Sequence, residues 1–356
     1  MSTKILNPKE LEALQPAHAL WNLYKPEEAP YRFQAKTRAE AEQWQKATRQ
    51  ALNDLLGFQS LPKTLLAPEI IETVDRGDHL RQKILLHTSE HILLPVYLLI
   101  PKQGQPPFPV VIAFHGHGYG VKDIVGLWED GEERYEPDGY HKDFALALCR
   151  LGFAVAAPEI SCFGERQTDF SYLNTTIGAP VPTTCDHTAK LAFYLGGTAL
   201  GLRVFDGKRL VDYLESRPDV NVNRLGAMGI SGGGIHTFFS TCLDERIKAC
   251  VVSGYFNTFK DSILAMSHCT CMFVPGLWKF GEEYDLVGLI APRPLLVESG
   301  NYDEIFPVKA TKTSLEKAKA VYDVYGARGQ VEADFFEGRH QISGRRAYDF
   351  LMEKLT

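Results

Sequence analysis

Hydrophobic residues recur along the chain with two different periods, and the change from one to the other divides it. Up to about residue 65 the spacing is helical: Ala41, Trp44, Ala47, Ala51, Leu52, Leu55 and Leu56 fall on one face. Thr37 and Glu40 stand at capping-box spacing ahead of them, and Gly57 follows as a stop. One amphipathic helix laid on a larger body is the expectation. From about residue 69 the period shortens. Runs at 70–74, 79–87 and 92–100 are rich in strand formers and separated by short turns, which predicts an antiparallel meander. Pro95 inside the third run predicts an edge or a bulge there. Farther on, short apolar runs at 110–114, 153–157, 224–230, 247–253, 295–299 and 331–336 alternate with helical patterns at 143–151, 190–215, 233–243, 308–325 and 343–355. The pattern over 190–215 is interrupted by Gly196, Gly197 and Gly201.

Continuous apolar strands between helices predict a mostly parallel sheet buried on both faces. The fold class is therefore α/β, with antiparallel strands at the start and an extra helical segment before them. Two units follow: an N-terminal helical extension over 1–65 packing on the core, and a catalytic domain over 66–356. In such sheets ligands bind beyond the carboxyl ends of the strands. Three long connections, about 115–142, 158–188 and 254–290, are placed to shape a site there.

The remaining composition narrows the function more than the fold. A net charge of −6 over 356 residues, with no long basic run, argues against nucleic acid and anionic membrane as partners. No run of about eighteen apolar residues predicts a membrane span. The first residues lack a continuous apolar stretch, so no secretory signal is expected. Seven cysteines, an odd number in a long chain, make a disulfide framework improbable and point to the cytoplasm. Cys269-x-Cys271 beside His268 is the one close pair. A structural zinc site takes four ligands in paired clusters, and no second cluster is visible, so no metal is expected and the thiols read as partly buried packing groups.

The chemistry sits at Gly229-Ile230-Ser231-Gly232-Gly233. This G-x-S-x-G follows an apolar strand and precedes a helix, the context of a nucleophile elbow. A Gly-rich turn cradling phosphate is the alternative, but neither G-x-G-x-x-G nor a Walker lysine follows. A serine hydroxyl needs a base held by a third group. Asp303 lies in the loop leaving the strand at 295–299, and His340 lies just past the strand at 331–336, giving the order Ser, Asp, His. Glu298, Asp285 and Glu304 are weaker candidates for the acid; Glu298 falls inside a strand and points into the fold. His236, on the helix after Ser231, reads as a packed or surface residue. Acyl transfer also needs donors for the developing oxyanion. The backbone N–H of Gly232 is one. The other is assigned to His117, in the loop His115-Gly116-His117-Gly118 after an earlier strand. Phe163, His268 and Trp278 are candidate substrate-binding residues, with Met272, Phe273, Leu277 and Phe280 as further walls.

Together these residues resemble the α/β-hydrolase superfamily, and within it the branch of dienelactone-hydrolase-like proteins, acetyl xylan esterases and cephalosporin deacetylases. The resemblance covers about 69–356. It rests on the 115–118 loop, the 229–233 elbow, Gly300-x-x-Asp303 with Phe306-Pro307, and Gly338-x-His340. Gly164-Glu165-Arg166 and Ala291-Pro292-Arg293-Pro294 add to it. The N-terminal helical region is similar to that of larger bacterial members. The resemblance implies serine carboxylester hydrolysis, with no metal and no organic cofactor; the 254–290 connection, covering the site and leaving little room, predicts short-chain, acetyl-type esters. Two departures stand out: dienelactone hydrolases proper use cysteine where this chain has Ser231, and the acetyl xylan esterases carry an aromatic residue where it has His117. A small ester is the expected partner, with homo-oligomerisation open. The competing readings are a prolyl-oligopeptidase-like peptidase or amidase, disfavoured because 65 residues cannot build a propeller, and a non-catalytic binding protein on the same fold, disfavoured because every triad member is present.

Overall fold

A computed structural model describes residues 5–171 and 182–356. The predicted capping box forms: Thr37 Oγ1 accepts the Glu40 N–H and the Glu40 carboxylate accepts the Thr37 N–H. Helix α3 (Arg38–Leu56) starts there, after two short helices that the apolar pattern did not reveal, α1 (Pro8–Ala13) and α2 (Pro16–Leu23). Neither buries a residue. In α3, Ala41, Leu52 and Leu56 are fully buried in the main core. Gln45 and Arg49 donate to the backbone carbonyls of Gly288, Ala291, Cys242 and Leu289, so the helix is tied into the larger body by polar as well as apolar contacts.

The meander is β1 (Glu69–Asp75), β2 (His79–Ser89) and β3 (Ile92–Pro101), antiparallel throughout. The remaining strands are β4 (Phe108–Phe114), β5 (Ala154–Pro158), β6 (Val220–Ile230), β7 (Ala249–Ser253), β8 (Leu295–Gly300) and β9 (Val331–Phe336). One nine-stranded sheet results, in the order β1-β2-β3-β5-β4-β6-β7-β8-β9, and β5 to β9 with β4 are mutually parallel. The edge-or-bulge expectation for Pro95 fails. Strand β3 is interior, between β2 and β5, and the irregularity opposite it lies at His87/Ser89. Pairing with β5 begins only at Val96↔Pro158, so a missing N–H at Pro95 interrupts no bond to β5, while its carbonyl accepts the Glu159 N–H.

Side chains alternate between two cores. Val110, Ile112 and Phe114 of β4 face the larger one, with α3, α5 (Thr184–Tyr194), α6 (Ala199–Glu215), α7 (Gly232–Leu243) and α9 (Val308–Asp323). Val111 and Ala113 face the other, with α4 (Phe144–Arg150) and α10 (Ala347–Leu355). The single pattern over 190–215 is thus two helices, parted at Gly196-Gly197. Gly201 does not break α6: a β-carbon there would stand 2.1 Å from the Leu56 carbonyl oxygen, so this glycine marks where α6 meets the end of α3. The 254–290 connection holds a short helix, α8 (Glu283–Leu286). The 158–188 connection lies partly outside the described residues.

Candidate active site

Strands β4 to β9 run parallel, so the residues leaving their carboxyl ends gather on one rim. His117 follows β4, Phe163 follows β5, Ser231 follows β6, Gly254 follows β7, Asp303 follows β8 and His340 follows β9. Ser231 sits between β6 and α7 with φ 59° and ψ −118°, a region L-residues with side chains seldom adopt. The surroundings hold it there. Its N–H donates to the Ser253 carbonyl (3.1 Å) and its carbonyl accepts the Ile235 N–H (3.0 Å). The turn closes so tightly that a β-carbon on Gly233 would lie 1.9 Å from the Phe114 carbonyl oxygen. Ser231 itself stays partly accessible among buried neighbours.

Asp303 Oδ2 lies 2.7 Å from His340 Nδ1, and Asp303 Oδ1 accepts the backbone N–H groups of Ile305 and Phe306 (2.9 and 3.0 Å). The carboxylate is buried while the imidazole is partly open. With Nδ1 carrying the proton toward Asp303, the lone pair of Nε2 is the basic one. Nε2 is buried without a hydrogen-bond partner. The ring lies over Gly254, where a β-carbon would meet its Cε1 at 2.9 Å, and stacks on Phe306 (5.7 Å, 21°). Ser231 Oγ makes no hydrogen bond to Nε2 here; in such sites that link commonly tightens with substrate in place.

The other weighed residues fall elsewhere. Glu298 points into the fold: it accepts from Ser253 Oγ (2.6 Å) and the Gly344 N–H (2.8 Å), and burial raises its pKa. It therefore braces the strand end whose carbonyl holds Ser231. Asp285 accepts the N–H groups of Phe33 and Glu282, anchoring the N-terminal segment. Glu304 is exposed beside Arg339. His236 is buried, stacked on Phe114 (3.8 Å), with Nε2 2.8 Å from the Arg203 carbonyl.

The His117 backbone nitrogen stands 3.7 Å from the point a β-carbon on Gly232 would occupy, so the loop after β4 lies against the start of α7. Sequence spacing gave no hint of what fixes this loop. Gly116 N–H donates to His141 Nε2 (2.8 Å), and His141 Nδ1 lies 2.8 Å from Asp123 Oδ2. An Nε2 that accepts leaves the proton on Nδ1, so His141 is neutral. Burial, its largest influence, pushes its pKa down. For Asp123 burial works upward, but the hydrogen bond from His141 and the Arg134 charge leave it below its ordinary value. Tyr140 Oη donates to the His117 carbonyl (2.6 Å).

Phe163 packs edge-on against the rings of His115 and His117 (5.5 and 5.0 Å). His268 reaches Ser262 Oγ (3.3 Å) and lies 5.5 Å from the ring of Phe306. Trp278 is not brought to this rim by any contact described. With Met272, Phe273, Leu277, Phe259 and Tyr24 it lines an apolar cavity of about 220 Å³. Phe280 stacks on Tyr31. The cysteines assemble in a way the spacing did not show. Cys269 and Cys271 meet Cys185 of α5 and His117, all four ligand atoms within 4.8 Å of one another, whereas the adjacent His268 takes no part.

A mostly parallel sheet with a strained serine turn and an Asp-supported imidazole at its strand ends is the arrangement of an α/β-hydrolase. Residues 17–326 match the model of the Abhydrolase family, and the chain belongs to it. That stretch includes Ser231 and Asp303 and ends before His340. The Bacillus subtilis (strain 168) protein YtaP, which bears a hydrolase name, is 28% identical over 305 residues, covering 83% of this chain and 92% of that protein. Among solved structures, a Bacteroides fragilis NCTC 9343 protein named as an acetyl xylan esterase superposes with TM-score 0.74 at 19% identity, over 91% of this chain and 82% of its own. Glucuronoyl esterase from Solibacter usitatus gives 0.64 at 15%, over 93% and 100%. Acetyl xylan esterase 1 from Thermoanaerobacterium sp. JW/SL YS485 gives 0.56 at 17%, over 94% and 99%. At these identities the likeness is one of fold. Among the described residues no helix is long and apolar enough to cross a membrane.

Proposed function

We propose that this chain is a serine carboxylester hydrolase acting on short-chain, acetyl-type esters. The observation that carries the reading is the Asp303–His340 pair at 2.7 Å, with an unpartnered Nε2, on the same strand-end rim as a serine held at φ 59°. Ser231 Oγ attacks the ester carbonyl as His340 Nε2 takes its proton. The tetrahedral oxyanion is held by the N–H groups of Gly232 and His117. His340 then protonates the leaving alcohol, and Asp303 stabilises the imidazolium and keeps it oriented. Water, deprotonated by the same base, attacks the acyl-serine carbonyl and releases acid and free serine. Preference for small acyl groups is supported by the crowding at the rim, where Phe306, His268 and Phe163 crowd around His340 and His117. The acetyl esterase names carried by neighbours of the same fold agree with it. Free thiols fit a reducing compartment such as the cytoplasm.

The test is hydrolysis of p-nitrophenyl esters from acetate to decanoate, with Ser231→Ala alongside. Turnover confined to short chains and abolished in a folded Ser231→Ala protein is expected. Unchanged turnover in that variant, or a preference for long chains, overturns the reading.

A further inference from the structure

Four side chains far apart in sequence meet beside the proposed oxyanion loop. His117 leaves β4, Cys185 lies in the first turn of α5, and Cys269 and Cys271 belong to the connection after β7. Cys271 Sγ is 3.2 Å from Cys269 Sγ and 3.5 Å from His117 Nε2, and all four ligand atoms fit within 4.8 Å. A tetrahedral zinc ion with Zn–S of about 2.3 Å and Zn–N of about 2.0–2.1 Å separates its ligand atoms by roughly 3.5–3.8 Å. The spacings of 3.2 and 3.5 Å, with none beyond 4.8 Å, bracket that range, and the composition is the Cys₃His of structural zinc sites. None of the thiols is in a disulfide, and Cys185 and Cys271 are buried.

A second observation concerns charge. Arg203, in α6, is fully buried, with Nη1 lacking a hydrogen-bond partner. Its Nε and Nη2 donate to Ser161, and among the described residues no carboxylate pairs with it. Its guanidinium lies over the Phe163 ring (5.8 Å), and the groups that favour its charge are Cys271, Cys162 and Cys185. A buried cation without a counter-charge is costly. Three thiolates on a divalent ion carry one net negative charge, which Arg203 neutralises.

We propose that His117, Cys185, Cys269 and Cys271 bind one zinc ion that clamps the oxyanion loop to α5 and to the connection covering the site. Each thiol gives up its proton to solvent as its sulfur donates a lone pair to Zn²⁺, and no atom changes oxidation state. Four protein ligands leave no open position, so the ion is structural and does not touch the substrate. Coordination through Nε2 fixes the His117 proton on Nδ1, the nitrogen that lies beside Gly232. Rotation of the ring, and with it drift of the His117 backbone, is thereby restricted. Cys162 lies outside the set of four.

Metal content decides this. Tag-free protein purified without chelator should hold about one zinc per chain by mass spectrometry of the metals. Cobalt(II) exchanged into it should give a thiolate-to-cobalt charge-transfer band. Cys185→Ser and Cys271→Ser should lose the metal, His117→Ala should weaken its retention, and Cys162→Ser should keep it. The wild-type measurements stand even where a variant fails to fold. Wild-type protein that holds no zinc after addition of ZnCl₂ and desalting overturns the proposal. So does an intact mass showing a disulfide within the cluster, or loss of metal in Cys162→Ser with retention in Cys271→Ser. Stripping the ion should lower kcat on the short esters more than it changes KM. That readout rests on the esterase reading, whereas metal stoichiometry does not, so failure of one is distinguishable from failure of the other.

Discussion

Ser231 holds a backbone conformation that costs about 1–3 kcal/mol, sustained by the Ser253 and Ile235 hydrogen bonds on either side. That strain lifts the hydroxyl above the sheet while its neighbours stay buried. Gly232 lies against the His117 loop: a β-carbon there would stand 2.8 Å from His117 Nδ1 and 3.0 Å from Cε1. Its φ is not in the left-handed region, so Gly232→Ala acts by displacing His117, not by straining its own backbone. On the proposed mechanism, misplacing one oxyanion donor costs about 10²–10³ in kcat, and Gly232→Ala is expected to lose activity on that scale with thermal stability near wild type. Steady-state kinetics with a melting curve checks this; full activity would mean that the His117 loop yields freely.

Between elements, α6 meets the end of α3 backbone to backbone. Gly201→Ala would place a β-carbon 2.1 Å from the Leu56 carbonyl oxygen and 2.7 Å from that of Gly57. Backbone atoms cannot swing aside as side chains do, so the helices must part. Overpacking of this kind costs about 1–3 kcal/mol, well above the benefit alanine brings to a helix interior. Gly329→Ala, at a position with nothing within 4 Å, is the matched control and should leave the denaturation midpoint unchanged. The same contact explains why the N-terminal segment belongs to the fold: α3 donates Leu52 and Leu56 to the core of the parallel sheet.

For the whole molecule, buried titratable groups oppose one another as pH changes. His236 is fully buried and its pKa lies well below the ordinary value, chiefly through burial, with the nearby Arg203 charge adding to it. The unfolded chain takes up a proton near pH ~6.5 that the folded chain refuses, so stability is full above that pH and lost as pH falls below it. Asp285, pushed up to about 6 by burial, acts in the reverse direction: its contribution is full below the unfolded carboxylate value and lost as pH rises through about 6. His236→Gln removes only the first contribution. The fall in urea stability between about pH 7 and pH 5 should therefore be shallower in that variant, by up to ~1.4 kcal/mol per pH unit. Parallel slopes would show that His236 is protonated in the folded protein.

Strand and helix periods, and the strand–turn–helix setting of Ser231, were legible in the sequence because they follow from local sterics and from which face each residue buries. The Asp303 and His340 loops were legible as places in the chain, since each had to leave a strand end. The Asp303–His340 contact itself depends on the ordering of the sheet, which sets β8 beside β9. Helices α1 and α2, of 6 and 8 residues, are too short for a periodic pattern to set them apart from a loop. Pro95 was misread because local sequence cannot tell where a neighbouring strand ends. The His141–Asp123 support of the His117 loop and the Cys185–Cys269–Cys271–His117 cluster join residues whose separation along the chain carries no pattern. Sequence alone determined most of the core strands and helices and the turn that holds Ser231, because those depend on neighbours along the chain. Tertiary structure alone decided which thiols, imidazoles and carboxylates share a dry interior, because close packing of distant segments brings them within bonding distance.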